Sequence, residues 1–383
     1  MTAESTDIKN LSQDELEHMM LTLGQERYRA RQLIKWLYKQ GVSDFDEMTD
    51  LSKAFRQTLR RRASISSLVP SRVETSVDGT EKFVFPLVDG NHVESVLVPD
   101  GTRLTLCIST QVGCALGCRF CLTGKMGFIR NLTPSEILNQ ILAVQGHEPP
   151  ERRLTNIVLM GMGEPLANYD STVTSIEMMQ NDLGFGFSGR RITLSTSGLV
   201  PAMERLMTSR LRFQLAVSLN AADDATRSFL MPINKSHPMK RVLEICRRFP
   251  LPPRERVTFE YVLIDGINDS PRDAHRLAHL VKGIPCKINL IPLNESPDLE
   301  FRRSTDEKVD TFQMILLDSH ITCTVRKSRG GDISAACGQL GGKSRRLPQN
   351  PPSNLGIKTE ISRLGSIPDP QQGIRCKAPR NDD

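Results

Sequence analysis

Three cysteines within eight residues carry the strongest chemical signal in the sequence. Cys114, Cys118 and Cys121 have the spacing C-x3-C-x2-C, in a glycine-containing loop directly after a predicted strand. Three thiolate ligands to a four-iron cluster leave one iron open to the amino and carboxylate groups of a second molecule. The alternatives are chance and a zinc site with a distant fourth ligand, but structural zinc sites favour paired C-x2-C knuckles and the sequence has no second one. The spacing therefore predicts an iron–sulfur centre.

Polar residues follow several apolar runs, where the loops of a parallel sheet bind ligands. In Gly161-Met162-Gly163-Glu164-Pro165 the glycines allow close backbone approach and the carboxylate can accept hydrogen bonds from an ammonium group. This segment alone is a weak signal and is compatible with a simple turn. The other polar groups are compatible with strand capping one by one, but together they predict a cofactor site; they are Ser195, Ser218, Leu219, Asn220 and Asn294 with their neighbours.

Three further residues have an ordinary structural interpretation when taken alone. Cys107 lies in an apolar run and is suited to core filling. Cys337, in Ala-Ala-Cys-Gly, suits either a buried turn or a mobile loop, and Glu94 reads as a solvated carboxylate of a β-element. We assign Cys246, Cys286 and Cys323 to the core, and leave Cys376 unassigned.

The elements that must position these residues alternate between strands and helices from about residue 100 to 330. One helix begins with a capping box at Thr133 to Glu136, and another carries Val309, Phe312 and Leu316 on one face. Because such alternation builds a mostly parallel sheet, we predict an α/β fold with a partial, six-stranded (β/α) barrel. The apolar runs are 104–108, 157–160, 192–194, 213–219, 257–263, 287–291 and 321–325.

We divide the chain into four parts. Residues 1–66 are expected to form a helical accessory domain, with an apolar stripe at Leu33, Trp36 and Leu37. The turn signals Asp78-Gly79 and Asp89-Gly90 predict an antiparallel β-linker over 67–99, ahead of the barrel with its Cys337 loop at 100–343. Residues 344–383 contain six prolines and no aromatic residue, so we expect a disordered C-terminal tail.

Composition limits the function classes. The 383 residues are 38% hydrophobic and 25% charged, and no run of 18 apolar residues predicts a membrane span. The polar, acidic N-terminus is not typical of a secretory signal, and clustered thiols suit a reducing compartment, so we expect a cytoplasmic protein. Lys and Arg exceed Asp and Glu by 50 to 44, a mild excess that suits a polyanionic partner.

Longer motifs link the cysteine spacing to a known family. The C-x3-C-x2-C spacing resembles that of the radical S-adenosylmethionine (SAM) superfamily, and Gly163 and Glu164 look like its motif for the SAM amino group. Over roughly residues 8–342 the chain resembles the RlmN/Cfr family of RNA methyltransferases. The segments that carry this resemblance are 28–36, 44–51, 107–114, 130–133 and 325–340.

The resemblance implies a 4Fe-4S cluster on Cys114, Cys118 and Cys121, with SAM on the open iron. In the family two SAM molecules are used per turnover. One methylates the cysteine that Cys337 matches; the other yields a 5′-deoxyadenosyl radical, which takes hydrogen from that S-methyl group so that the carbon adds to adenine. Cys107 matches the cysteine that resolves the adduct as a disulfide, and Glu94 matches the proton acceptor.

The resemblance also implies SAM contacts and an RNA substrate. The matching SAM contacts include Asn220, which stands where the family usually has His. The implied product is 2-methyladenosine in 23S ribosomal RNA and next to the anticodon of certain tRNAs, formed by a monomer with an electron donor such as flavodoxin or ferredoxin. The full set of matching SAM contacts is Gly163, Glu164, Ser195, Ser218, Leu219, Asn220 and Asn294.

The sequence contains two clusters of basic residues that bear on RNA binding. Two basic clusters suit phosphate contacts, although a solvated helix face is the plainer interpretation of the first. The target base must leave its stack to reach a buried site. The rivals are the C8 methyltransferase branch of the family and a zinc-stabilised RNA-binding protein without catalysis. The clusters are Arg56, Arg60, Arg61 and Arg62, and Arg326, Lys327 and Arg329.

Overall fold

The computed structural model of the chain describes residues 5–341. The tail predicted at 344–383, with Cys376, lies outside the described residues. Within the described range, no helix combines the length and the apolar character needed to cross a membrane.

Helices build the first part of the described chain, as the apolar stripe predicted. Leu33 and Leu37 are fully buried, and Trp36 packs against the same core. Ser12 starts the first helix in a capping box with Glu15. The helices are α1 (Gln13–Thr22), α2 (Tyr28–Ile34) with a π-helical continuation (Lys35–Lys39), α3 (Lys53–Arg62) and 3-10 helices at Ile8–Asn10 and Phe45–Glu47; β1 (Thr6–Asp7) and β2 (Ala63–Ser64) pair in parallel.

Lys9 connects these helices to the rest of the molecule. It is 2% exposed, and its ammonium donates hydrogen bonds to Ser66 O (2.9 Å) and Asn139 Oδ1 (2.8 Å). Asn10 Oδ1 accepts a hydrogen bond from Ser135 N at 2.9 Å. Burial lowers the pKa of Lys9 to about 8. A buried polar contact therefore joins the helical segment to the helix that contains Ser135 and Asn139.

Two β-hairpins follow, at the positions of the Asp-Gly signals. Gly79 and Gly90 both have φ of +80°, a left-handed conformation that favours glycine. The last of these strands pairs antiparallel with the first strand of the parallel region, so the hairpins extend one edge of the main sheet. The strands are β3 (Arg72–Thr75), β4 (Glu81–Pro86), β5 (His92–Asp100) and β6 (Arg103–Cys107).

Parallel strands form the rest of the ten-stranded sheet. Within the described residues the seven predicted apolar runs coincide with seven parallel strands, one more than the six predicted for the partial barrel. The predicted capping box at Thr133 begins α5 (Pro134–His147). β7 (Gln111–Gly113) and β8 (Phe128–Asn131) form a separate antiparallel pair. The parallel strands after β6 are β9 (Asn156–Leu159), β10 (Ile192–Thr196), β11 (Gln214–Ser218), β12 (Val257–Leu263), β13 (Cys286–Pro292) and β14 (Cys323–Val325), and the order in the main sheet is β14-β13-β12-β11-β10-β9-β6-β5-β4-β3.

Helices cover the sheet between the strands. Val309, Phe312 and Leu316 are buried on the last of them, as their spacing predicted. The α-helices are α4 (Leu122–Met126), α5 (Pro134–His147), α6 (Tyr169–Gln180), α7 (Val200–Met207), α8 (Asp224–Leu230), α9 (Met239–Arg248), α10 (Pro271–Leu280) and α11 (Asp306–Asp318), with 3-10 helices at Pro165–Asn168, Gly189–Arg191 and Pro232–Lys235.

Strand β12 shows how the sheet is buried on both faces. Its residues Phe259 and Tyr261 are 0% exposed on one face, and Thr258 and Glu260 on the other are 9% and 7% exposed. A carboxylate at such a position needs polar partners, which only a functional or hydrogen-bonded environment supplies. Since the strands are parallel, their carboxyl ends meet at one edge of the sheet, and the loops at that edge hold the candidate site.

Candidate active site

The loop with the three cysteines lies between β7 and α4. Cys114 is buried, and Cys118 and Cys121 are half-buried. The turn into the loop requires glycine: Gly113 has φ of +71°, and a Cβ there would lie 1.9 Å from the carbonyl oxygen of Gly127. Cys121 N donates to Cys118 O at 3.2 Å, which closes the loop just before α4 begins.

The donor set fits an iron–sulfur cluster. Burial raises the pKa of Cys114 to about 12, and burial together with the neighbouring thiolates also raises the pKa values of Cys118 and Cys121. Cysteine binds a metal as the thiolate. A polycationic centre must therefore offset the free-energy cost of deprotonating these buried thiols. Three thiols on one short loop beside a cavity fit the ligand set of a cluster in which one iron has no protein ligand.

The glycine-rich segment after β9 packs tightly against the loop after β6. A Cβ on Gly161 would lie 2.7 Å from Ile108 O, and one on Gly163 would lie 2.5 Å from the Cβ of Gln111. Gln111 Oε1 in turn accepts a hydrogen bond from Glu164 N at 2.8 Å. The glycines are therefore required by close backbone approach, and the contacts fix Glu164.

The Glu164 carboxylate is buried and fixes a second strand end. Its Oε2 accepts a hydrogen bond from Ser197 N at 2.8 Å, and its Oε1 accepts one from Leu166 N at 3.1 Å. Burial raises the pKa of Glu164, although these bonds oppose the rise. The carboxylate therefore joins the segments that follow β9 and β10.

A cavity opens at this edge of the sheet and is lined by polar groups from several strand ends. Leu219 is fully buried outside it. Glu260, which sequence reasoning missed, also lines it; a lone carboxylate in the apolar run 257–263 was the available signal. The predicted residues on its wall are Cys121, Gly163, Glu164, Ser195, Ser218, Asn220, Asn294 and Cys337.

Asn220 uses its side chain to brace the sheet. Its φ is +56°, a conformation that asparagine tolerates better than most residues. Its Oδ1 accepts a hydrogen bond from Val262 N at 2.9 Å, and its backbone oxygen accepts one from Asn268 Nδ2 at 2.9 Å. The amide thus ties the end of β11 to β12 while one side of the residue faces the cavity.

A second cavity is lined by the other two predicted thiols. Cys107 and Cys337 both line it, with Arg326 beside them. It shares Cys121 and Asn294 with the first cavity, so the two are adjacent. Burial raises the pKa of Cys107 to about 12, and the Arg326 guanidinium opposes this rise.

The loop that carries Cys337 is anchored along its length. Near its start, Asp332 Oδ1 accepts a hydrogen bond from Ser76 Oγ at 2.6 Å, and Asp78 Oδ2 accepts one from Gly330 N at 3.0 Å. Near its end, Leu340 O accepts one from Thr123 Oγ1 at 2.9 Å. The β3–β4 turn and helix α4 therefore hold the Cys337 loop from both sides.

Glu94 lies beside this loop. It is 3% exposed, and its Oε2 accepts a hydrogen bond from Gly341 N at 3.0 Å. Because strand side chains alternate, it points to the same face of β5 as Val96 and Val98, which line the second cavity. Glu94 itself is buried next to that lining.

The two basic clusters differ. In α3, Arg60 pairs with Asp44 (2.7 Å) and Asp46 (2.8 Å), and Arg56 donates to Asp46 O. Arg61 and Arg62 are exposed at the end of the helix. The other cluster, Arg326, Lys327 and Arg329, lines the second cavity.

The three remaining described cysteines belong to the core, as predicted. Cys246 and Cys323 are buried in the main hydrophobic core, and Cys286 packs against it.

Comparisons with known proteins match the chain to two family models and to several relatives. Residues 6–65 match the ribosomal RNA large subunit methyltransferase N-terminal domain, and residues 108–278 match the radical SAM superfamily. The chain is 54% identical to the dual-specificity RNA methyltransferase RlmN of Geobacter sulfurreducens, over 93% of this chain and 97% of that protein. It is 53% identical to that of Geotalea uraniireducens, over 89% and 98%. The crystal structure of a radical SAM methyltransferase from Sphaerobacter thermophilus matches 88% of this chain and 100% of its own, with a TM-score of 0.82 and 46% identity.

Proposed function

Since the chain belongs to the RlmN family of dual-specificity RNA methyltransferases, we propose that it methylates C2 of an adenosine in 23S ribosomal RNA and of the adenosine next to the anticodon in certain tRNAs. The observation that carries this proposal is the pair of adjacent cavities. One is lined by the polar strand ends of a coenzyme site, and the other by two thiols, Cys107 and Cys337. A one-step methyltransferase needs no such pair of thiols.

The cofactors are a 4Fe-4S cluster and SAM. Cys114, Cys118 and Cys121 would hold three irons, and the fourth would bind SAM in the cavity lined by Gly163 and Glu164. When bound, this pair supplies a radical that can abstract hydrogen from an unactivated carbon. The buried Glu164 carboxylate orients the segments that line this cavity through its bonds to Ser197 N and Leu166 N.

We assign the methyl-carrying role to Cys337. Adenine C2 is an electrophilic carbon and does not attack a sulfonium as a nucleophile, so the methyl group must first be placed on a carrier. Cys337 lines both cavities and can receive the methyl group on one side and present it to RNA on the other. Once that carbon is bonded to adenine C2, the thiolate of Cys107, which lines the same cavity as Cys337, would attack Cys337 Sγ. The S–S bond forms as the bond from Cys337 Sγ to the carbon breaks, and the carbon takes the electron pair and a proton to become the methyl group of the product.

We assign Glu94 as the proton acceptor at adenine C2. Its carboxylate lies at the end of the Cys337 loop, where it accepts a hydrogen bond from Gly341 N at 3.0 Å. It shares a strand face with Val96 and Val98, which line the cavity of the two thiols.

RNA would approach through the second cavity. Arg326, Lys327 and Arg329 line it, and guanidinium and ammonium groups bind phosphates without reading sequence. Arg61 and Arg62 offer further phosphate contacts, whereas Arg60 is already paired with Asp44 and Asp46. A buried reacting thiol requires the target base to flip out of its stack.

The remaining partners follow from the chemistry. We propose a low-potential electron donor of the flavodoxin or ferredoxin type, because the cluster must be reduced at each radical step. We also propose that the protein acts as a monomer in the cytoplasm. A reducing compartment keeps the thiols available.

The decisive experiment is nucleoside analysis of RNA incubated with anaerobically reconstituted protein, reductant and SAM. We expect 2-methyladenosine from 23S ribosomal RNA and from tRNA, and about four irons per chain. Finding 8-methyladenosine alone would assign the C8 activity instead. A colourless protein with stoichiometric zinc and no modified nucleoside would favour the RNA-binding alternative. Cys118→Ser, which lacks one cluster ligand, is the matched control and should yield neither product.

A further inference from the structure

Arg227, on helix α8, is fully buried directly behind the coenzyme cavity. Its Nη2 donates hydrogen bonds to Ser197 O (2.7 Å) and Ser218 O (3.2 Å), and its Nε donates to Leu219 O (3.1 Å). Ser197 and Ser218 line the cavity. One rigid guanidinium therefore ties together the segments that follow β10 and β11.

The other edge of the guanidinium is fixed as well. Its Nη1 donates to Asn234 Oδ1 at 2.8 Å and to His237 O at 3.4 Å. Asn234 Nδ2 in turn donates to Asp224 Oδ1 at 2.9 Å, at the start of α8. The bonds to Asn234 and His237 therefore keep the Arg227 guanidinium oriented toward the strand ends.

Helix α8 also packs on the cluster loop. Arg119 N, between two of the cluster cysteines, donates to Leu230 O at 2.9 Å. Leu230 belongs to a small hydrophobic cluster that includes Cys118 and Phe120. The same short helix therefore contacts the loop that would hold the iron–sulfur cluster and positions the strand ends that would hold SAM.

The charge of Arg227 lacks a direct counter-ion. Its five acceptors are neutral oxygens, and the ion pairs found within residues 5–341 do not include it. Burial lowers its pKa to about 10, whereas the Cys118 thiolate and the Asp224 carboxylate oppose this change, so the group stays protonated at neutral pH. A buried cation is costly unless an anion offsets it. Asp224 offsets part of this cost from behind, and the thiolate-ligated cluster would be the anion on the side of the active site.

We propose that Arg227 is a positioning residue with two separable effects: its hydrogen bonds hold the SAM-binding strand ends in place, and its positive charge favours the reduced state of the cluster. This inference rests on the proposed function, because it assumes the cluster and SAM in this site. Net charge near an iron–sulfur cluster is one of the terms that set its potential.

Two substitutions separate the effects in the reconstituted holoprotein. Arg227→Lys keeps the charge but cannot make the forked set of hydrogen bonds, and Arg227→Gln removes the charge. We expect both variants to bind SAM about tenfold more weakly, measured by equilibrium dialysis, since hydrogen bonds from a charged group are lost. In potentiometric titration monitored by electron paramagnetic resonance, R227K should keep the wild-type midpoint potential and R227Q should shift to a more negative one.

Arg241→Gln, an exposed arginine on α9, is the control and should change neither quantity. Wild-type SAM affinity in R227K would overturn the positioning effect, and a wild-type potential in R227Q would overturn the charge effect. If R227Q does not retain the cluster, R227M provides the uncharged variant.

Neither readout needs RNA, so the inference and the proposed function can fail separately. Wild-type protein that binds SAM but forms no 2-methyladenosine would refute the proposed function alone.

Discussion

The side-chain amide of Asn294 donates a hydrogen bond of 3.0 Å to the backbone carbonyl of Cys337, and its oxygen accepts one from Ser328 Oγ. Asn294 follows the carboxyl end of β13, whereas Ser328 and Cys337 both lie in the loop after β14, Ser328 near its start and Cys337 near its end. One side chain therefore holds the loop closed against the sheet. A residue expected from sequence to bind SAM thus also positions the reacting thiol.

Replacing Asn294 with Ala should slow methylation of Cys337 by about tenfold at saturating SAM, because a partly buried hydrogen bond worth about 0.5–1.5 kcal/mol is lost. Mass spectrometry of the Cys337 peptide over time measures the rate. Ser328→Ala is the matched control, since it keeps the bond to Cys337 O, and its effect should be smaller. Equal rates for N294A and wild type would mean that this bond does not position the thiol.

Cys337→Ala should abolish RNA methylation and leave reductive SAM cleavage in place. The three cluster cysteines and the other predicted residues on the wall of the first cavity are kept in this variant. Liquid chromatography of one reaction mixture can measure 5′-deoxyadenosine and 2-methyladenosine together. Methyl transfer to RNA by C337A would exclude a carrier thiol.

Cys107→Ala should accumulate a covalent complex between protein and RNA. Cys107 and Cys337 line the same cavity, and without the first thiol no disulfide can release the product. A denaturing gel with labelled RNA detects the complex. Cys286→Ala, which removes a thiol outside both cavities, should turn over normally. Free product from C107A at the wild-type rate would assign the resolving step elsewhere.

Local patterns predicted much of the fold. The Asp-Gly turns located β3 to β5, and Thr133 with Glu136 located the start of α5. The sequence analysis missed that β5 pairs with β6 in a third hairpin, although Asp100-Gly101 between them is a turn signal of the same kind. Turn chemistry does not encode the parallel pairing of β6 with β9, because Thr105 and Asn156 are brought together only by the folding of the intervening chain.

The site shows the same division. Residues that act through their own type and spacing, such as Cys118 and Cys121, could be found from sequence. Arg227 could not, because an arginine in a short helix looks solvated until the tertiary structure buries it. Likewise, the sequence does not show that the side-chain oxygen of Asn220 accepts a hydrogen bond from Val262 N, because this contact depends on how β11 and β12 align in the folded sheet.

Lys9, buried at the junction of the helical segment with α5, should make the free energy of unfolding depend on pH. Burial lowers the pKa of Lys9 from 10.5 to about 8 in the folded protein. Below pH 8 the group is charged in both states, and the cost of burying the charge is fully present. Between about pH 8 and 10.5 the unfolded chain keeps a proton that the folded one has lost, so stability rises with pH by up to about 3 kcal/mol.

Equilibrium urea unfolding of wild type and Lys9→Met between pH 7 and 10.5 isolates this contribution, because other titrating groups cancel in the difference. The stability of wild type relative to K9M should increase across the range. Lys53→Met, an exposed lysine on α3, should leave the pH dependence of wild type unchanged. Parallel curves for wild type and K9M would show that the ammonium remains charged while bonded to Ser66 and Asn139, and that the junction tolerates a buried cation.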